Sequence, residues 1–223
     1  MVQKEPKPRG RPRAYDPDAA LARATERFWD GGYAATSLDE LSAATGMNRP
    51  SLYGAFGDKR ELYLKALARY WELSRVAVEE ALAYERPLRE ALQRFYGKAL
   101  ASYLSGKSGA RGCFAIATAT TEAVRDAQVR AALAQGLREI DTALEARIRF
   151  AQRQGELSRA ADPFALATLA SATLHTLALR ARAGARRDAL QAIVAAALEV
   201  ICGPEPADRR LPRGKPRRDR HPD

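Results

Sequence analysis

Residues 36–62 read TSLDELSAATGMNRPSLYGAFGDKREL. Two short apolar-periodic runs, at about 37–45 and 48–56, flank Gly46, so the stretch reads as two helices joined by a tight turn. Leu38, Leu41, Met47, Leu52 and Phe56 fall on the inward faces. Ser42 and Thr45 are small where the helices must cross closely. Gly46 supplies the positive φ that a sharp helix–helix turn needs. Asn48 reads as an N-cap, and Pro50 fits the first turn of the helix it opens. The inner residues fix a crossing near a right angle. The outer face of the second helix is then left with Arg49, Ser51, Tyr53 and Gly54, a hydrogen-bonding surface sized for a DNA major groove. An ordinary helical hairpin is the competing reading of the same pattern.

Working outward, helical periodicity continues in both directions. Asp16-Pro17 opens a helix with Leu21, Ala24, Phe28 and Trp29 on one face, closed by Gly31-Gly32. Asp58 caps a long helix to about residue 84, and Pro87 opens a fifth that runs to Tyr103. Further helices are predicted at about 113–123, 127–154, 163–183 and 187–202. The fold class is therefore all-α, with about nine helices. The expected division is a basic arm at 1–13, a three-helix helix-turn-helix DNA-binding domain at 14–60, a helical ligand-binding and dimerisation domain at 61–203, and a basic tail at 204–223.

Composition agrees. Of 223 residues, 46% are apolar and 7% aromatic. Alanine, leucine, arginine and glutamate dominate, the best helix formers, and a β-sandwich or barrel is disfavoured. Two cysteines and two histidines provide no disulfide framework and no metal-ligand spacing, so no metal and no cofactor are expected. Neither a Ser/His/Asp set nor a carboxylate pair stands out, which speaks against an enzyme. The N-terminus lacks an apolar secretory signal, and residues 163–179 are short and polar for a membrane span, so a cytoplasmic protein with no membrane partner is expected, nucleoid-associated when bound to DNA.

The motif in 36–62, the aromatic-Gly-Tyr segment at 28–33, Leu52-Tyr53 with Phe56, and Asp58-Lys59 through Leu62 together resemble the TetR family of bacterial transcription regulators. The resemblance is close over residues 15–65, and beyond them it rests on helix number and length. It implies a homodimer that binds double-stranded operator DNA, usually as a repressor, and a small-molecule effector. By position, Thr36, Tyr53 and Lys59 match residues that touch DNA phosphates in that family, and Arg49, Pro50 and Ser51 match those near bases. Ser37, Asn48 and Gly54 complete the expected DNA surface. Met47, Asn48 and Arg49-Pro50 depart from the commoner Val, Ser and a small or polar pair.

Charge sets a difficulty for that reading. The net charge is +10, but residues 14–60 hold five bases against seven acids. DNA affinity rests largely on phosphate neutralisation. The N-terminal arm offers what the domain lacks: its Pro8-Arg9-Gly10-Arg11-Pro12-Arg13 resembles an AT-hook core, whose arginines enter a narrow A·T minor groove. An architectural A·T-binding protein working through Arg9, Arg11 and Arg13 is thus a competing function, and a merely solubilising basic tail a plainer one. An effector-gated regulator would protect a short palindrome and release it on ligand addition.

In the remaining helices, Phe95, Tyr96, Tyr103, Phe114, Phe150 and His175 are core residues by default. In a TetR-like arrangement, these six and Thr118 are the candidates to line a ligand pocket. Cys113 follows Arg111-Gly112 at a predicted helix N-terminus, where the dipole and Arg111 would favour a thiolate. A redox- or electrophile-sensing regulator is one reading and a buried apolar cysteine the other. The last two helices carry apolar stripes, Leu169, Thr173 and Leu177 on one, Leu190, Ile193, Val194, Ala197, Leu198 and Ile201 on the other, expected to form a four-helix dimer interface.

Overall fold

The computed structural model describes residues 15–106 and 109–204, and over these the chain is all-helical. The Asp16 carboxylate accepts from the Asp18 and Ala19 amides at 2.9 and 3.4 Å and opens α1 (Pro17–Gly31), with Pro17 at its first position. Ser37 and Glu40 cap each other at the start of α2 (Leu38–Thr45). Gly46 is left-handed at φ 71°, and the Asn48 side chain then accepts from the Ser51 amide at 2.9 Å to start α3 (Arg49–Phe56). Asp58 and Glu61 form a second capping box at the head of α4 (Lys59–Ala81). The inner faces bury Ala24, Phe28, Leu41, Met47, Leu52 and Phe56. Each of the large side chains among them contributes roughly 1.5–3 kcal/mol.

Then come α5 (Leu88–Tyr103), α7 (Ala127–Arg153), α8 (Pro163–Arg182) and α9 (Arg187–Cys202), within a few residues of the expected bounds. Between α5 and α7 the chain departs from a regular helix. α6 is a π-helical stretch, Ala115–Ala119, running into a single α-turn, Thr120–Glu122. Within it the Thr118 hydroxyl bonds the Phe114 carbonyl at 2.9 Å and the Tyr63 hydroxyl at 2.7 Å. Tyr63 of α4 also stacks edge-on against Phe28 of α1, at 5.3 Å between ring centroids. α1, α4 and α6 thereby share one aromatic core.

By length and composition α8 would cross a membrane, yet it packs against α5, α7 and α9 and buries Ala170, Leu174, Leu177 and Ala178. The expected interface stripe needs correction at this point. Leu177, Leu190, Leu198 and Ile201 are buried inside the chain, as are Thr173 and Ala197, because α9 folds back over α8 and both pack on α5. Ile193 and Val194 are half-buried, and Leu169 is exposed. The face that stays open carries four alanines, Ala165 and Ala172 on α8 and Ala192 and Ala196 on α9, beside exposed Leu179 and Val200.

Candidate nucleic-acid interface and adjoining cavity

The outer face of α3 is open. Asn48, Arg49, Pro50, Tyr53 and Gly54 are exposed and Ser51 is half-buried. Several of their polar groups are already engaged. Asn48 spends its side-chain oxygen on the cap, and Ser37 accepts from the Glu40 amide at 3.2 Å. The Arg49 guanidinium donates twice to one Asp39 oxygen, at 3.0 and 2.7 Å, which ties the head of α3 to α2. Lys59 lies 4.5 Å over the Tyr33 ring, its Nζ 3.4 Å from the Ala34 carbonyl, and partial burial pulls its pKa down. Tyr53 presents its ring and hydroxyl to solvent.

Thr36 differs from its expected role. It is 1% exposed and its hydroxyl donates to the Gly32 carbonyl at 2.6 Å, so it fixes the α1–α2 loop rather than offering its side chain to a phosphate. Nothing in the sequence distinguishes it from an exposed threonine, since its burial depends on how α1 ends. Arg9, Arg11 and Arg13 lie outside the described residues.

The acids that made this region net negative have local work. Asp16 and Asp58 cap helices, Glu40 closes a capping box and pairs with Arg27, Asp39 holds Arg49, and Glu26 pairs with Arg111. Serine and arginine hydrogen bonds hold the Glu40 carboxyl below its usual range.

A second feature sits beside this unit. A cavity of about 230 Å³ opens between α4, α5, α7 and α8. Its walls include Tyr70, Trp71 and Val78 of α4, Phe95 and Tyr103 of α5, and Ile140 of α7. Leu174 and His175 of α8 complete one side, and burial pushes His175 toward the neutral form. Of the expected pocket residues, Phe95, Tyr103 and His175 therefore line it. Phe114 lies behind Tyr70, at 5.4 Å between ring centroids. Tyr96 and Thr118 are buried in hydrogen bonds to the Ala170 carbonyl and to Tyr63, and Phe150 packs on Tyr84 at 4.7 Å. Their helices turn these side chains to other neighbours.

Cys113 also touches the cavity, 3.0 Å from the Tyr70 hydroxyl. Burial raises its thiol pKa, against a smaller lowering by Tyr70 and helix-start amides. Arg111, expected to favour the thiolate, instead stacks 3.8 Å over Trp29 and pairs with Glu26.

Two long-range contacts that sequence reasoning missed tie early helices to later parts of the chain, one of them at the cavity. Trp29 of α1 is part of the cavity wall, and its Nε1 donates to the Gly112 carbonyl at 3.2 Å. Arg60, at the head of α4, forks onto Asp126 and donates to Gln128 at 2.8 Å, at the head of α7. Neither contact has a local signal, because the partners are separated by more than sixty positions in sequence.

Known proteins give the same picture. Residues 20–66 match the model "Bacterial regulatory proteins, tetR family", and residues 87–197 match "Tetracyclin repressor-like, C-terminal domain". The chain is 31% identical over 194 residues to the HTH-type transcriptional repressor ComR of Escherichia coli, covering 87% of this chain and 92% of that one. It is 30% identical over 193 residues to the uncharacterized HTH-type transcriptional regulator YezE of Bacillus subtilis, covering 86% and 99%. Among solved structures, a cysteine mutant of the regulator CifR, complexed with double-strand operator DNA, superposes with a TM-score of 0.74 at 34% identity, covering 85% of this chain and 98% of that one.

Proposed function

Because the chain belongs to the TetR family of bacterial transcription regulators, which bind DNA and are not enzymes, we propose that it works as a homodimeric repressor that leaves a palindromic operator when a small molecule enters the cavity. Residues 14–60 act as the DNA-binding unit and 61–203 as the ligand-binding and dimerisation unit, in the cytoplasm. One helix-turn-helix reads too few base pairs to be selective, so a two-fold pair with recognition helices roughly 34 Å apart, or a multiple of that, is the economical arrangement. The open small-residue face of α8 and α9 is the surface for the second copy, since alanines allow close helix approach.

The observation that carries the release mechanism is Trp29. A side chain of the first DNA-binding helix forms part of the cavity wall and is clamped by Arg111 and the Gly112 carbonyl. A molecule seated in the cavity touches that helix directly, and any difference in fit between two α1 positions becomes a difference in operator affinity. The arm around Arg9, Arg11 and Arg13 adds phosphate neutralisation.

Selecting binding sites from random duplexes with the purified protein tests the reading. A palindrome with two half-sites, bound by two chains, is the expected outcome, and Leu179→Asp with Ala196→Arg should give a helical monomer with weak operator binding. Recovery of A·T-rich DNA without a palindrome would favour the architectural alternative.

A further inference from the structure

Four tyrosines, three of them buried and Tyr70 half-buried, sit around the core of the molecule. Three have partners: Tyr63 at 2.7 Å from Thr118, Tyr70 at 3.0 Å from Cys113, and Tyr96 at 3.1 Å from the Ala170 carbonyl. The fourth, Tyr103, is 5% exposed, lines the cavity, and makes no side-chain hydrogen bond among the described residues. A hydroxyl in an apolar cavity that no described group engages is free to donate to an occupant. The indole N–H of Trp71 is also unpartnered, but it is sealed from the cavity that its ring lines. The cavity thus offers one donor, the Tyr103 hydroxyl, with nothing among the described residues to accept from it.

The rest of the lining sets the other properties of an occupant. Among the described residues, no carboxylate lines the cavity. Lys98, the one lining ammonium among the described residues, is engaged by Glu80 at the exposed rim, and His175 is held toward neutrality by burial. Glu80 at the rim is spent on Lys98 and Asp141 acts only on His175 from outside the lining, so neither a cation nor an anion finds a free counter-charge on the wall. Trp29, Tyr70, Trp71 and Phe95 supply flat aromatic faces. A cavity of roughly 150 Å³ holds benzene, so 230 Å³ suits a molecule of about nine or ten heavy atoms.

We propose that the cavity binds a small, uncharged, flat hydrophobic molecule whose one hydrogen-bond acceptor, a carbonyl or ring nitrogen, is held by the Tyr103 hydroxyl. This ligand class rests on the reading of the cavity as the effector site. Gly136 helps to set the shape: a Cβ there would lie 2.2 Å from the Trp71 ring, so the glycine lets that indole form the wall between α4 and α7.

Four probes on one bicyclic skeleton test the proposal on the full-length protein: 1-indanone, indane, indane-1-carboxylate and the 1-aminoindane cation. Calorimetry gives affinities, and emission reports the place, because both tryptophans of the chain, Trp29 and Trp71, line the cavity. Indanone is expected to bind about tenfold more tightly than indane, as one hydrogen bond would give, and both charged probes more weakly than either. Tyr103→Phe should bring indanone down to the level of indane. Ala99→Phe, which fills the cavity, should abolish binding of both while far-ultraviolet dichroism stays helical. Equal affinity of indanone and indane for the parent, preference for a charged probe, a preference that survives in Tyr103→Phe, or no saturable binding by any probe would each overturn the proposal. Operator retardation separates it from the release mechanism: indanone that binds with the stated preference and leaves the operator complex intact refutes release but not the ligand class.

Discussion

The candidate DNA-reading surface takes its side chains from one run of sequence, 37–59, whereas the cavity draws its wall from α1, α4, α5, α6, α7 and α8. The first is built by short-range chemistry. Ser37, Gly46, Asn48 and Asp58 each set a helix boundary within three or four residues of themselves. The second exists only after α8 has packed against α5 and α7, and no residue in it announces its role to its neighbours in sequence. A regulator needs both kinds of site. The recognition helix must hold one shape, and the cavity must be able to hold two if a ligand is to matter.

The largest test of the contrast is truncation on the local side. Leu52 is 3% exposed under α3. Leu52→Ala should cost about 2–5 kcal/mol and abolish operator binding, as read by denaturant melts and gel retardation. A loss below about 1 kcal/mol would mean that α3 is not packed on this core.

Next comes the joint between the two sites. Gly112 has φ +68°, and a Cβ there would meet the Ala178 carbonyl oxygen at 2.7 Å. Gly112→Ala should therefore cost about 2–3 kcal/mol from left-handed strain and crowding together. Its carbonyl is also the acceptor for Trp29. Operator affinity of the folded fraction should fall with it, whereas Gly155→Ala, at φ +77° with no atom within 4 Å of the added Cβ, should lose stability alone. Equal operator affinity in both variants would uncouple Trp29 from the DNA face.

These two tests also mark what the sequence discloses. All helices of the first sixty residues, and their caps, follow from proline, glycine, serine and acid placement, because capping is decided by one or two adjacent amides. The same local logic finds α5, α7, α8 and α9. It fails at Thr36, where burial depends on the end of α1, and at Phe150, where a plausible pocket aromatic turns instead to Tyr84. It fails again for Leu190 and Leu198, since an apolar stripe looks the same whether its own chain or a second copy covers it. Trp29 was legible as core but not as cavity wall. Within the local surface the net acidity looked adverse, and caps and ion pairs occupy five of its seven acids, Asp16, Glu26, Asp39, Glu40 and Asp58.

The Arg49–Asp39 pair sharpens the local side further. Both side chains are largely exposed, so the pair adds little stability. Its effect is on DNA. Arg49→Ala should cost about 1–3 kcal/mol at particular base pairs and leave other positions unchanged. Asp39→Asn removes a negative charge beside the phosphates and frees the guanidinium, so affinity should rise on operator and unrelated duplex alike. Binding profiles over a library of single-base operator variants separate the two outcomes. A uniform loss in Arg49→Ala would make that arginine a phosphate contact rather than a base reader.

The smallest effect belongs to Asp126, which ties the head of α7 to Arg60 at the head of α4. Its carboxyl is lowered from 3.8 to about 2, mainly by the Arg60 hydrogen bonds, with the Val129 and Gln128 amides adding to them. A carboxylate held lower in the folded chain contributes stability above its unfolded pKa, and that contribution disappears as pH falls through the folded value. The parent should thus exceed Asp126→Asn by a constant margin at neutral pH, and the margin should close between about pH 4 and pH 2. Asparagine keeps an acceptor for the cap, so α7 still starts where it did and the variant isolates the charge. Because the pair is at the surface, the margin should also shrink in high salt. A margin indifferent to both pH and salt would mean that Asp126 acts through its cap alone, and that Arg60 joins α4 to α7 without help from charge.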